Sequence, residues 1–131
     1  MRRTILTLAA ALTAAPLFAS AAQAAAPSVI ACGWEGRVIV ESRPTNCRLS
    51  WPNLPNASSV TMQALRWSGW GGPVATATGR ERYRTYEPWH PLTARASRRV
   101  RCEDKLYYTR VRVTFSSGRS HTWRTPTCRE F

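Results

Sequence analysis

Three arginines at alternate positions, Arg80, Arg82 and Arg84, and a second pair downstream, Arg110 and Arg112, are the residues best suited to chemistry with anions. In an extended strand successive side chains point to opposite faces, so each set projects its guanidinium groups from one face. A guanidinium grips phosphate or carboxylate as a planar two-pronged fork. If the two strands lie close together, the faces merge into one cationic sheet, which Arg98, Arg99 and Arg101 would extend. Trp89, between Pro88 and His90 on an expected loop tip, and Tyr108, beside the second arginine pair, offer rings on which sugars or bases stack. The expected ligand-binding set is therefore Arg80, Arg82, Arg84, Trp89, Tyr108, Arg110 and Arg112. The plainer alternative is a solvated outer face, positive because the whole chain is.

Acid–base catalysis has thinner support. His90 and His121 are the only imidazoles, and the carboxylates are Glu35, Glu41, Glu81, Glu87, Glu103, Asp104 and Glu130. Glu87, His90 and the arginines match the residue types of a small nuclease, but no spacing ties them together. There is no G-x-S-x-G elbow and no Cys–His nucleophile. Two widely separated histidines make no metal motif. The expectation is a non-catalytic protein with no metal and no cofactor. Two alternatives stay open. One is a protease inhibitor presenting Lys105 or Leu106 from the segment Cys102-Glu103-Asp104-Lys105-Leu106; the other is a secreted nuclease using His90 or His121.

The elements that must position these groups follow from the rest of the chain. Arg2 and Arg3 precede an uncharged apolar run, residues 5–18, and a small-residue stretch containing Ala22-Gln23-Ala24. That is the pattern of a signal peptide, residues 1–24, cleaved to leave a single domain, residues 25–131. The apolar run is too short to span a bilayer comfortably and no second one follows, so no integral membrane segment is expected after cleavage. Without Arg2 and Arg3 the 19 basic residues become 17 against 7 acidic ones, a net charge of +10. Only Lys105 among them is a lysine, as an arginine-favouring GC-rich genome would give, though codon bias does not explain the excess over acids. A field of that sign attracts polyanions, and outside a cell these are anionic polysaccharides, wall polymers and nucleic acid. The expected location is extracellular, with attachment to the wall left open.

All 4 cysteines follow the leader, and an even count without a CxxC pair points to disulfides. Of three possible pairings, Cys32–Cys47 and Cys102–Cys128 each close a short loop around one hairpin-like segment. Each would contribute about 3 kcal/mol on a loop-entropy estimate. Prolines interrupt helical periodicity throughout, whereas short β-branched and alternating runs recur. Residues 37–41, 60–67, 74–86, 107–115 and 120–125 read as strands, with 93–102 a weaker candidate. In 107–115 the odd positions, Tyr107 to Phe115, are expected inside. A three-residue turn, Ser116-Ser117-Gly118, then places Trp123 opposite Val111 in the core. Trp67 is expected to pack over the small face of Ala75, Ala77 and Gly79. The fold class is all-β, a small disulfide-stabilised sandwich or barrel of about six or seven antiparallel strands.

At Trp67-Ser68-Gly69-Trp70-Gly71, with Leu65 before it and Ala77-Thr78-Gly79 and Tyr108-Thr109-Arg110-Val111-Arg112-Val113-Thr114 after it, the chain resembles an uncharacterised family of small secreted actinobacterial proteins. The likeness covers about residues 60–118. It implies that the W-x-x-W-G string is a tryptophan-bearing turn between two strands, and it carries no activity. Relatives are expected to hold two cysteines around a proline in the loop after the second strand; here Tyr86-Glu87-Pro88-Trp89-His90 has none, so other cysteines must brace the fold.

Overall fold

The computed structural model describes residues 26–34, 37–50 and 59–131. The expected signal peptide and Trp51 lie outside the described residues, as does most of the proline-rich loop around it. Eight strands follow in order: β1 (Ser28–Trp34), β2 (Arg37–Glu41), β3 (Cys47–Leu49), β4 (Val60–Ser68), β5 (Val74–Arg82), β6 (His90–Cys102), β7 (Lys105–Phe115) and β8 (Ser120–Arg124). β3 to β7 form a consecutive antiparallel run, and β1 joins its two ends by pairing with β3 on one side and, in parallel, with β7 on the other. The result is a closed six-stranded barrel, with β2 added beside β1 and β8 beside β7.

The interior follows the two-residue period of each strand. Ile30, Val60, Met62, Leu65, Ala75, Ala77, Leu92, Ala94, Ala96, Val111, Val113 and Trp123 form the main core. Trp123 stands opposite Val111 and is fully buried. The turn that sets this register has Gly118 at φ 85°, with Phe115 and Arg119 paired across it. The left-handed value is open to glycine without a Cβ clash, which is why the three-residue turn forms here.

β1 meets β3 at a single residue pair, Gly33 with Arg48, so this is the thinnest seam of the barrel. The disulfide Cys32–Cys47 ties the two strands at that seam, with Cα atoms 5.0 Å apart. Cys102–Cys128 fastens the chain after β8 to the end of β6. Both pairings are those expected from the loop lengths. Two disulfides fit an oxidising environment, and no helix among the described residues is long and apolar enough to cross a membrane.

Several strand expectations need correction. β5 ends at Arg82, and residues 83–87 form a turn closed by Glu87 N–H donating to the Arg84 carbonyl. The segment expected to be weakest is part of the longest strand, β6, which runs 13 residues and takes in His90 and Pro91. Ala94 and Ala96 have little strand propensity of their own; burial between β5 and β7 decides the outcome. β1 and β3 were not anticipated as strands.

A cationic outer face and an acid–base pocket

The W-x-x-W-G string forms the end of β4 and the turn into β5, and it closes one end of the barrel. The Trp67 indole N–H donates to the Pro44 carbonyl at 2.8 Å and that of Trp70 to the Ser28 carbonyl at 3.0 Å. The two indoles meet edge to face, and Trp70 does the same with Tyr108. The Tyr108 hydroxyl donates to the Gly72 carbonyl at 2.7 Å and accepts from the Gly71 N–H at 3.1 Å. Trp67 also faces Ala77 across the strand pair, over the expected small-residue surface.

This removes Tyr108 from the ligand set. It is fully buried, not on the wet face with Arg110 and Arg112. The cause is a change of phase: Tyr108, Val111 and Val113 share one core, so the inward parity shifts between 108 and 111. Arg98, opposite this point, has φ 55°, and its carbonyl accepts the Thr109 hydroxyl at 2.7 Å. On β6 the same shift turns Arg99 inward, where it donates to the Gly71 carbonyl. Arg99 therefore braces the closed end and adds nothing to a cationic face.

The outward positions of β4 to β8 hold mainly arginine, serine and threonine, with Gln63, Pro91 and Val100 among them and no carboxylate. Arg95 and Arg112 stand directly opposite each other on β6 and β7, flanked in the same row by Thr76 and Thr122. Arg110 lies in the next row between Ser97 and Arg124. With Arg66 on β4, Arg95 and Arg112 edge a shallow groove of about 740 Å³ floored by threonine side chains. Arg124 is ion-paired to Glu130, and Lys105 to Asp104 away from the face. The remaining arginines of the face are unneutralised.

Arg80 and Arg82 project from the same face at the far end of β5, and both guanidinium groups lie over the half-buried Trp89 ring, 5.0 and 4.3 Å from its centre. Arg80 is four residues beyond Thr76, about 13 Å along the strand from the Arg95 row. The two expected arginine sets thus share a face without touching: Thr78, Thr93 and Thr114 lie in the row between them, and Arg95, absent from the expected set, joins the Arg112 row. Arg84 leaves the set as a strand residue: it sits in the turn after β5, hydrogen-bonded to the Tyr86 hydroxyl. Lys105 and Leu106 are half-buried strand residues paired with β6, Leu106 also with β1, so they do not project on a loop.

The opposite end of the barrel is open, and its mouth is a pocket of about 610 Å³. Glu81, His90 and His121 line it from the inward positions of β5, β6 and β8, and the β7–β8 turn adds Arg119 and serine hydroxyls. Glu81 stands opposite His90, is only 4% exposed, and its Oε2 has no hydrogen-bond partner among the described residues. Burial raises the Glu81 carboxyl above its ordinary value; the neighbouring Glu87 raises it further and His90 opposes them. Burial and the Glu81 charge likewise raise the Tyr83 phenol, against the pull of Arg119. The His121 ring packs edge to face on Trp123, with centroids 4.4 Å apart. No group of three or more His, Cys, Asp or Glu among the described residues is arranged to hold a metal ion.

The sequence carried a signal for this pocket. Glu81 shares the parity of Ala75, Ala77 and Gly79, and His121 that of Trp123, so both continue faces already expected inside. Compared with family models, curated proteins and solved structures, the chain matches none.

Proposed function

We propose that the protein is exported and binds an anionic polymer outside the cell through the outer arginine face of β4 to β8. The carrying observation is the Arg95–Arg112 cross-strand pair with no carboxylate at any neighbouring outward position. Like charges directly opposite each other destabilise a sheet, and a ligand bearing several phosphates, sulfates or carboxylates relieves that repulsion. The threonine hydroxyls between the arginines add hydrogen bonds to the same oxygens. Export is supported by the leader pattern of residues 1–24 and by the two disulfides.

Retention on heparin-like, teichoic-type and RNA matrices tests this. Binding should weaken steeply with salt, and Arg112→Gln should reduce the slope of log K against log salt by about 1. Arg37→Gln, on β2 and away from the face, should leave the affinity for each matrix nearly unchanged apart from a small loss of general attraction. Elution from all three matrices below physiological ionic strength, or equal losses in the two variants, rules the reading out.

A further inference from the structure

The cationic face explains attraction to a polyanion but leaves the open end of the barrel without a role. Both histidines of the chain, a buried carboxyl and a guanidinium converge there from two stretches of sequence, residues 81–90 and 115–121. A buried carboxyl with one oxygen lacking a hydrogen-bond partner among the described residues is costly to keep, so its environment calls for a use. We propose that this pocket cleaves RNA by transfer of the phosphodiester to the adjacent 2′-hydroxyl. The proposal rests on the polyanion reading and narrows the polymer to RNA.

The residues divide by position. Glu81, on β5, takes the proton of the 2′-hydroxyl as its oxygen attacks phosphorus. The bond from phosphorus to the 5′-oxygen breaks, and His121, on β8 in the same pocket, gives a proton to that departing oxygen. The products are a 2′,3′-cyclic phosphate and a free 5′-hydroxyl. Water then opens the ring with the two roles reversed, which restores Glu81 and His121. Base and acid on separate strands lining one pocket suit an in-line displacement, which needs the attacking and leaving oxygens served from different sides of phosphorus. Arg119 in the adjoining turn holds the phosphoryl oxygens as their charge grows. His90, directly across from Glu81, is a positioning residue that favours its charged form.

RNA fits better than DNA for a physical reason. Its own hydroxyl is the nucleophile, so no metal-activated water is needed, and the pocket residues are not grouped as metal ligands. The strand polarity also fits. Glu81 points into the pocket while Arg80 and Arg82, its neighbours, point out with Trp89 beneath their guanidinium groups. A strand entering the mouth would find two guanidinium groups for its backbone phosphates at the rim.

The test uses the disulfide-bonded protein after leader removal, a short fluorescent ribo-oligonucleotide, and the same sequence with 2′-deoxyribose. Expected results are cleavage of the ribo form only, cyclic phosphate ends by mass spectrometry, and no loss of rate with EDTA. Glu81→Gln and His121→Ala should each slow cleavage about 10²- to 10⁴-fold while binding the deoxy oligonucleotide as tightly as the parent. Glu81→Gln should also abolish the acidic limb of the pH–rate profile, set by Glu81 against His90, Glu87, Tyr83, Arg119 and His121. His90→Gln should move that limb upward rather than remove it. Deoxy binding without any ribo cleavage overturns this proposal and leaves the polyanion reading standing; loss of both overturns both. Release of reducing ends from an acidic polysaccharide with RNA left intact also overturns it.

Discussion

Glu81 and Trp123 show how single residues trade stability against use. The native state holds the Glu81 proton to higher pH than the unfolded chain does, because burial penalises the charge. Its ionisation therefore destabilises the fold, an effect absent below the ordinary carboxyl value of 4.5 that builds as pH rises through the raised folded value. Glu81→Gln should thus melt at or above the parent temperature at pH 7, with the difference closing below about pH 4; calorimetry at both pH values checks this. Trp123 is fully buried, yet its indole N–H has no partner among the described residues. Trp123→Phe should accordingly cost under about 1.5 kcal/mol, against about 3–5 for Trp123→Ala, by urea unfolding. The inside position of Trp123 was legible because the turn length and an apolar alternation agreed. The burial of Tyr108 was not, because the phase change beside it is made by Arg98 in a left-handed conformation, with no glycine to mark it.

Among the elements, β4 and β5 depend on each other through a bulge. Ala64, at φ 52°, shifts the register between Gln63 and Arg66, so that Leu65 rather than Ala64 enters the core. The bulged strand comes so close that a Cβ on Gly79 would lie 2.8 Å from the Gln63 carbonyl oxygen and 2.9 Å from Leu65 Cδ2. Gly79→Ala should cost about 1–3 kcal/mol in urea unfolding, more than an Ala substitution at Gly71, where a Cβ meets nothing nearby but the φ is 88°. Replacing Cys32 and Cys47 by serine opens the seam that one residue pair otherwise closes, and should cost about 3 kcal/mol for the 15-residue separation. Where apolar and polar residues alternate, as in β7 and β8, the strands could be read directly. β6 could not, since its small and basic residues become a strand only through their two neighbours; nor could β3, three residues long.

At the scale of the whole molecule the charges are sorted by face. Arginines occupy the outside of β4 to β8, while Glu81 and Glu87 line the mouth at one end and tryptophans close the other. The cationic face was legible in outline, since alternation alone aligned each arginine set. Its continuity was not, because Arg95 joins the row only through a strand order that no local pattern encodes. The same order gathers the pocket from residues 81 to 121. Reversing Arg95 alone to glutamate should sharply lower retention on anionic matrices at physiological salt while the melting temperature holds or rises, since the like-charge pair with Arg112 becomes an opposite-charge pair.

The first strand of the barrel is also its last to be completed. β1 begins at Ser28, yet its parallel partners are Leu106 and Tyr107, nearly eighty positions later. A chain emerging from its N-terminus has no partner for that edge until most of its length is free. Closure of the barrel therefore waits on Leu106 and Tyr107, and a polypeptide delivered N-terminus first cannot complete the ring until about its last fifth arrives.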